Sequence, residues 1–75
     1  MKRPSDSNER IVVSEFIVTK YTVLVLNENI PWIPWRRYLI DDVVYDYVMV
    51  NDLGWDVIAI EAQGGFVGKT VKFIP

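Results

Sequence analysis

WRRYLIDDVVYDYVMV, residues 35–50, is the stretch whose reading decides the fold. Two arms rich in aromatic and β-branched residues flank Asp41-Asp42, and such residues fit a pleated, half-buried surface better than a helix. Aspartate tolerates positive φ, so the pair predicts a two-residue hairpin turn, though Asn-Gly or Asp-Gly would specify it more strongly. With that turn Ile40 faces Val43, Tyr38 faces Tyr45, and Arg37 meets Asp46 as a cross-strand ion pair. One face of the hairpin then carries Arg36, Tyr38, Ile40, Val43, Tyr45, Tyr47 and Met49. The other carries Trp35, Arg37, Leu39, Val44, Asp46, Val48 and Val50. The second reads as core-facing, so that Trp35 and Arg37 serve the fold, and the first as a tyrosine-rich recognition surface.

Outward from this hairpin the β signal continues on both sides. Ile11 to Leu26 is dominated by Val, Ile, Phe, Tyr and Thr, and is read as one long bent strand or two strands broken near Thr19 and Lys20. Tyr21 to Leu26 is apolar on both faces apart from Thr22, which predicts a central strand covered on both sides or with one face in an interface. Asn27 to Asn29 end it as turn formers. After a turn at Asn51 to Trp55 comes a strand from Asp56 to Ala62, then a turn at Gln63 to Gly65. Phe66, Gly68, Val71 and Phe73 suggest a bulge followed by a half-buried strand, with Lys69, Thr70 and Lys72 toward water. Met1 to Arg10 is polar and read as a flexible tail, leaving residues 11–75 as a single β domain. Five or six strands joined by short turns predict an all-β fold, a small barrel or sandwich. The closing pattern is similar to the last strands of SH3-like barrels, which makes that barrel the leading expectation; no function is carried over from the likeness.

Composition sets the functional bounds. At 75 residues, a chain of this size buries only about 60% of the surface that it exposes when unfolded. Yet 51% of it is hydrophobic. Some large apolar side chains must therefore lie on the surface, where a contiguous patch marks a partner or subunit interface. The sequence has neither His nor Cys, which removes the commonest general base, the histidine-dependent triads, thiolate chemistry and disulfides. The aspartates 41, 42, 46, 52 and 56 lack the spacing of an EF-hand loop and read as solvated turn residues. Gly68-Lys69-Thr70 resembles the end of a phosphate-binding loop, but Gln63 stands where that motif needs glycine. No catalytic residue, metal site, cofactor or small-molecule substrate follows.

Net charge is −2, which argues against binding nucleic acid through a general basic field. No apolar run approaches the ~20 residues of a membrane span, and Met1 to Arg10 is not followed by a signal-peptide pattern; a cytoplasmic protein is expected. The site expected from sequence is the Trp/Arg stretch and the tyrosine face: Trp32, Arg36, Tyr38, Tyr45 and Tyr47, contacting a protein partner or a second copy. Two alternatives are single-stranded nucleic-acid binding, with Trp32, Trp35, Tyr38 and Tyr47 stacking and Arg36 on the backbone, and a small accessory or inhibitor protein of a phage or mobile element.

Overall fold

The computed structural model describes residues 8–31, 35–46, 48 and 54–75. They form six antiparallel strands: β1 (Glu9–Val18), β2 (Tyr21–Leu26), β3 (Arg37–Ile40), β4 (Val43–Asp46), β5 (Val57–Ile60) and β6 (Thr70–Ile74). These make one sheet in the order β4-β3-β6-β1-β2-β5. The all-β class is as the sequence predicts. Among the described residues no helix is long and apolar enough to cross a membrane.

Two tight turns set the register. Asp41 and Asp42 have φ of 51° and 63°, the pair of positive values that a type I′ turn requires. The β3/β4 register follows as expected, Ile40 opposite Val43, Tyr38 opposite Tyr45 and Arg37 opposite Asp46. The long Ile11 to Leu26 segment breaks at Thr19-Lys20, where Val18 pairs with Tyr21. Thr19 takes φ of 54° there, uncommon for a β-branched residue. Lys20 Nζ lies 3.3 Å from Glu61 Oε1, and the hydrogen bond and charge of that carboxylate hold the Lys20 ammonium pKa above its ordinary value. Both groups are exposed, so the pair orients the hairpin tip more than it stabilises the fold.

β1 is shared by the two halves of the sheet. Its first residues, Glu9 to Ile11, pair with β6; from Val12 onward it pairs with β2, with a bulge that inserts Val13 between Val12 and Ser14. A bulge bends a strand and increases its twist, and this one lies where β1 passes from one partner to the other. The inward side chains of both halves meet in one core of Val12, Leu24, Leu26, Tyr38, Ile40, Ile58, Ile60, Phe66, Val71 and Phe73. β2 is central, as its two apolar faces predict, and Thr22, Val23 and Leu24 are all buried. The Thr22 hydroxyl donates to the Ala62 carbonyl at 2.7 Å and accepts from the Gly64 N–H at 2.8 Å, so a buried polar group is fully used.

The N-terminal boundary of the domain moves. Residues 8–10, expected in the tail, belong to the sheet: the Phe73 N–H donates to the Asn8 carbonyl, the Asn8 side-chain amide donates back to the Phe73 carbonyl, and Glu9 and Arg10 open β1. Arg10 is 1% exposed; its Nε donates to the Asn29 carbonyl and its Nη1 to the Glu9 carbonyl, both at 2.7 Å. Charge-assisted bonds of this kind allow a guanidinium to be buried. The remainder of the expected tail lies outside the described residues.

Candidate functional site

Trp35 packs against the core, as expected of a residue that serves the fold, but from Arg37 to Asp46 the faces are otherwise the reverse of the sequence expectation. Tyr38 is 1% exposed and its ring lies 5.3 Å from those of both Trp35 and Phe73. Tyr45 is half-buried and packs edge-on against Phe66 at 5.9 Å. The opposite face holds the exposed Val44 and the Arg37–Asp46 pair, with Nε 3.8 Å from Oδ1 and both side chains largely in water. Desolvating two charges costs several kcal/mol per ion, whereas a tyrosine ring gains from burial and needs only its hydroxyl satisfied. The ion pair therefore faces solvent, and the tyrosines turn inward.

Of the five side chains expected to recognise a partner, Tyr38 is thus in the core and Tyr45 packs against it. Arg36 is exposed, with its N–H donated to the Ile74 carbonyl. Trp32 and Tyr47 lie outside the described residues. Trp35 is half-buried against the core, so the set of rings proposed for stacking on bases is not presented on one open surface.

The exposed apolar surface is instead concentrated on β1. Ile11, Val13, Phe16, Ile17 and Val18 are each 46–54% exposed. Cross-strand neighbours share a face, and Phe16 pairs with Val23, which pairs in turn with Ala59. Phe16, Val23 and Ala59 therefore form a row on the outer face of β1-β2-β5, opposite the core side chains of β2. Val23 and Ala59 are themselves buried, although outside the central cluster. Val18, paired with Tyr21, extends this outer face, Val13 is the exposed residue of the bulge, and Ile17 lies at the rim of the inner face, beside Gly64.

The same part of β1 has an unpaired edge. Its contacts with β6 end at Val12, whose N–H and carbonyl bond Lys69 and Gly68. In a two-residue hairpin the flanking pair exchanges both backbone bonds, so Val18, Phe16 and Ser14 bond to β2, and the N–H and C=O groups of Glu15 and Ile17 point away from it. Glu15 bends its carboxylate inward, where Oε2 accepts from the Gly65 N–H and Oε1 from the Phe66 N–H, each at 2.8 Å. Its charge is engaged with the loop before β6, and the backbone edge stays open among the described residues.

A second feature is a cleft of about 210 Å³ between Asn29, Ile30, Pro31 and Trp55. Trp55 is 69% exposed, and its carbonyl accepts from the Ile30 N–H at 2.6 Å. The volume is below the ~300–1,000 Å³ of small-molecule pockets and suits one inserted side chain. Sequence reasoning placed Trp55 in a turn and missed it as a surface residue. Its clue was Gly54, with φ of 105°, which turns the chain just before β5.

Comparison with protein-family models, with curated proteins and with solved structures gives no match. Any functional reading must therefore come from these surfaces. Among the described residues no three acidic side chains gather as a metal site would need. Asp41 is paired with Lys69, Oδ2 to Nζ, at 2.7 Å, which gives the lysine of the Gly-Lys-Thr triplet a structural use.

Proposed function

We propose that this chain is a non-enzymatic β-rich interaction module that binds protein through the outer face of the β1/β2 hairpin. The observation that carries this reading is the run of half-exposed apolar side chains on β1 beside an unpaired backbone edge. Together they offer the two things a partner strand uses, main-chain hydrogen bonds for affinity and side-chain contacts for specificity. The Trp55 cleft supports the same class of partner, because a pocket of one side chain's volume is the usual receptacle for an interface anchor. The absence of His and Cys supports a binding role over catalysis, and the absence of Cys fits a reducing, cytoplasmic setting. The small-barrel reading, with SH3-like closure, draws its support from a β1 that belongs to both halves of the sheet and from the single core between them.

Phe16→Lys with Val18→Lys tests the reading. Both side chains are half-exposed, so the variant should keep the wild-type circular dichroism and melting profile. The wild-type chain, tagged and co-expressed with an untagged copy, should retain a protein, either that copy or another identified by mass spectrometry, and the double variant should lose it at least tenfold. Equal retention by the folded variant would remove this face from recognition.

A further inference from the structure

Resting on that reading, we infer that the occupant of the open β1 edge is the β1 edge of a second copy, paired antiparallel about a two-fold axis at Phe16. The register follows from geometry and charge. Glu15 and Ile17 carry the outward backbone groups, so they must meet as hydrogen-bonded pairs in any continuation of the ladder. Pairing Glu15 with its own symmetry mate would set like charges directly opposite, which is unfavourable. Centring on Ile17 would leave only the three residues nearest the turn in register. The register centred on Phe16 pairs Glu15 with the partner's Ile17 twice and Ser14 with the partner's Val18 twice, and brings the two Phe16 rings together across the axis.

Strand length fits the same arrangement. The open edge begins just after Val12, where the segment leading into β6 departs, and stops at the Thr19-Lys20 turn. An antiparallel copy therefore ends its own strand where β6 begins to occupy the edge, and neither hairpin runs into the other's sheet.

Area and alternatives point the same way. The five half-exposed side chains, Phe16 and Val18 on the outer face, Ile17 at the inner rim, and Ile11 and Val13 toward β6, leave together on the order of 400 Å² of apolar surface along β1, the size that is often functional on a monomer. A standard interface takes about 800 Å² from each partner, somewhat over half of it apolar. The sheet ends at β4 and β5: β5 is four residues long with Ile58, Ala59 and Ile60 already buried, and β4 is also four residues long, preceded by the exposed Asp42 and closed by the exposed Asp46. Short, charged edges of that kind resist pairing.

The chain contains no cysteine, so a single introduced thiol reports its own neighbours. The facing residues of a non-hydrogen-bonded pair have Cα atoms about 4.5 Å apart, within disulfide reach. Full-length Phe16→Cys under mild oxidation should give a covalent dimer at least tenfold faster than Val44→Cys on β4. A mixture of Ser14→Cys and Val18→Cys chains should cross-link as the mixed pair, which repeats the test with Phe16 intact. Sedimentation of the wild-type chain should show twice the monomer mass at high micromolar concentration, and Phe16→Lys should lower it to one. A dimer that does not cross-link at residue 16 or between 14 and 18 overturns this pairing. So does equal cross-linking at Val44. A wild-type chain that stays monomeric, yet holds a different protein that the Phe16/Val18 lysine variant loses, overturns self-pairing while the interaction reading stands.

Discussion

Phe73→Ala should remove a large share of the stability of the fold at 25 °C, about 3–5 kcal/mol. Phe73 is 0% exposed, and its ring sits 5.3 Å from both Trp35 and Tyr38, linking β6 to β3 and to the segment before it. Truncating a buried Phe costs about 3–5 kcal/mol, because the lost transfer energy is joined by a cavity that close-packed neighbours cannot fill. At roughly 0.05–0.15 kcal/mol per residue, a domain of this length has a total stability of only about 4–11 kcal/mol, without a disulfide to raise it. The measurement is urea unfolding followed by far-ultraviolet circular dichroism. Phe73→Leu, which keeps more of the volume, should retain a cooperative transition at a lower midpoint. A loss below about 1 kcal/mol for the alanine variant would mean that the ring is not at the centre of the core.

The second large effect is expected at Arg10. Its guanidinium spans β1 and the segment after β2 through the Asn29 carbonyl, while also accommodating the Glu9 carbonyl. Arg10→Ala removes two hydrogen bonds from a charged donor and empties the space of a buried side chain, at a cost of about 3 kcal/mol. Arg10→Lys restores the charge but not the planar fork that reaches two carbonyls at once, so it should recover less than half of the loss. Equilibrium unfolding of both variants against wild type checks the expectation. Full rescue by lysine would reduce the role of Arg10 to that of a simple counter-charge.

Local features of the fold could be read from the sequence because short-range rules govern them. Asp41-Asp42 and Thr19-Lys20 interrupt β-rich runs, and once each is a two-residue turn the pairings of β3/β4 and β1/β2 follow. The strand of Val71 and Phe73 shows a simple alternation, the two buried residues interleaved with Thr70 and Lys72 in water. Non-local features could not be read. Asn8 to Arg10 look like a tail because their side chains are polar, yet sheet pairing uses backbone groups, and one acceptor of Arg10, the Asn29 carbonyl, lies 19 residues along the chain.

The hairpin faces were inverted for a reason visible in the residues themselves. Tyr38 and Tyr45 resemble a recognition surface in composition, but the Arg37–Asp46 pair on the other face decides which side meets water. The apolar excess of the sequence did correctly anticipate exposed hydrophobic surface. Its place on β1 depends on β6 leaving that strand at Val12, which no local pattern announces.

Amide hydrogen exchange at Glu15 and Ile17 tests most directly whether the β1 edge is an interface. Phe16 and Val18 bond to β2 within one chain, so their amides should exchange slowly at every protein concentration. Glu15 and Ile17 should exchange rapidly in dilute solution and slow by at least tenfold as concentration rises into the high micromolar range. Rapid exchange of both amides at all concentrations, with Phe16 and Val18 still protected, would contradict the account.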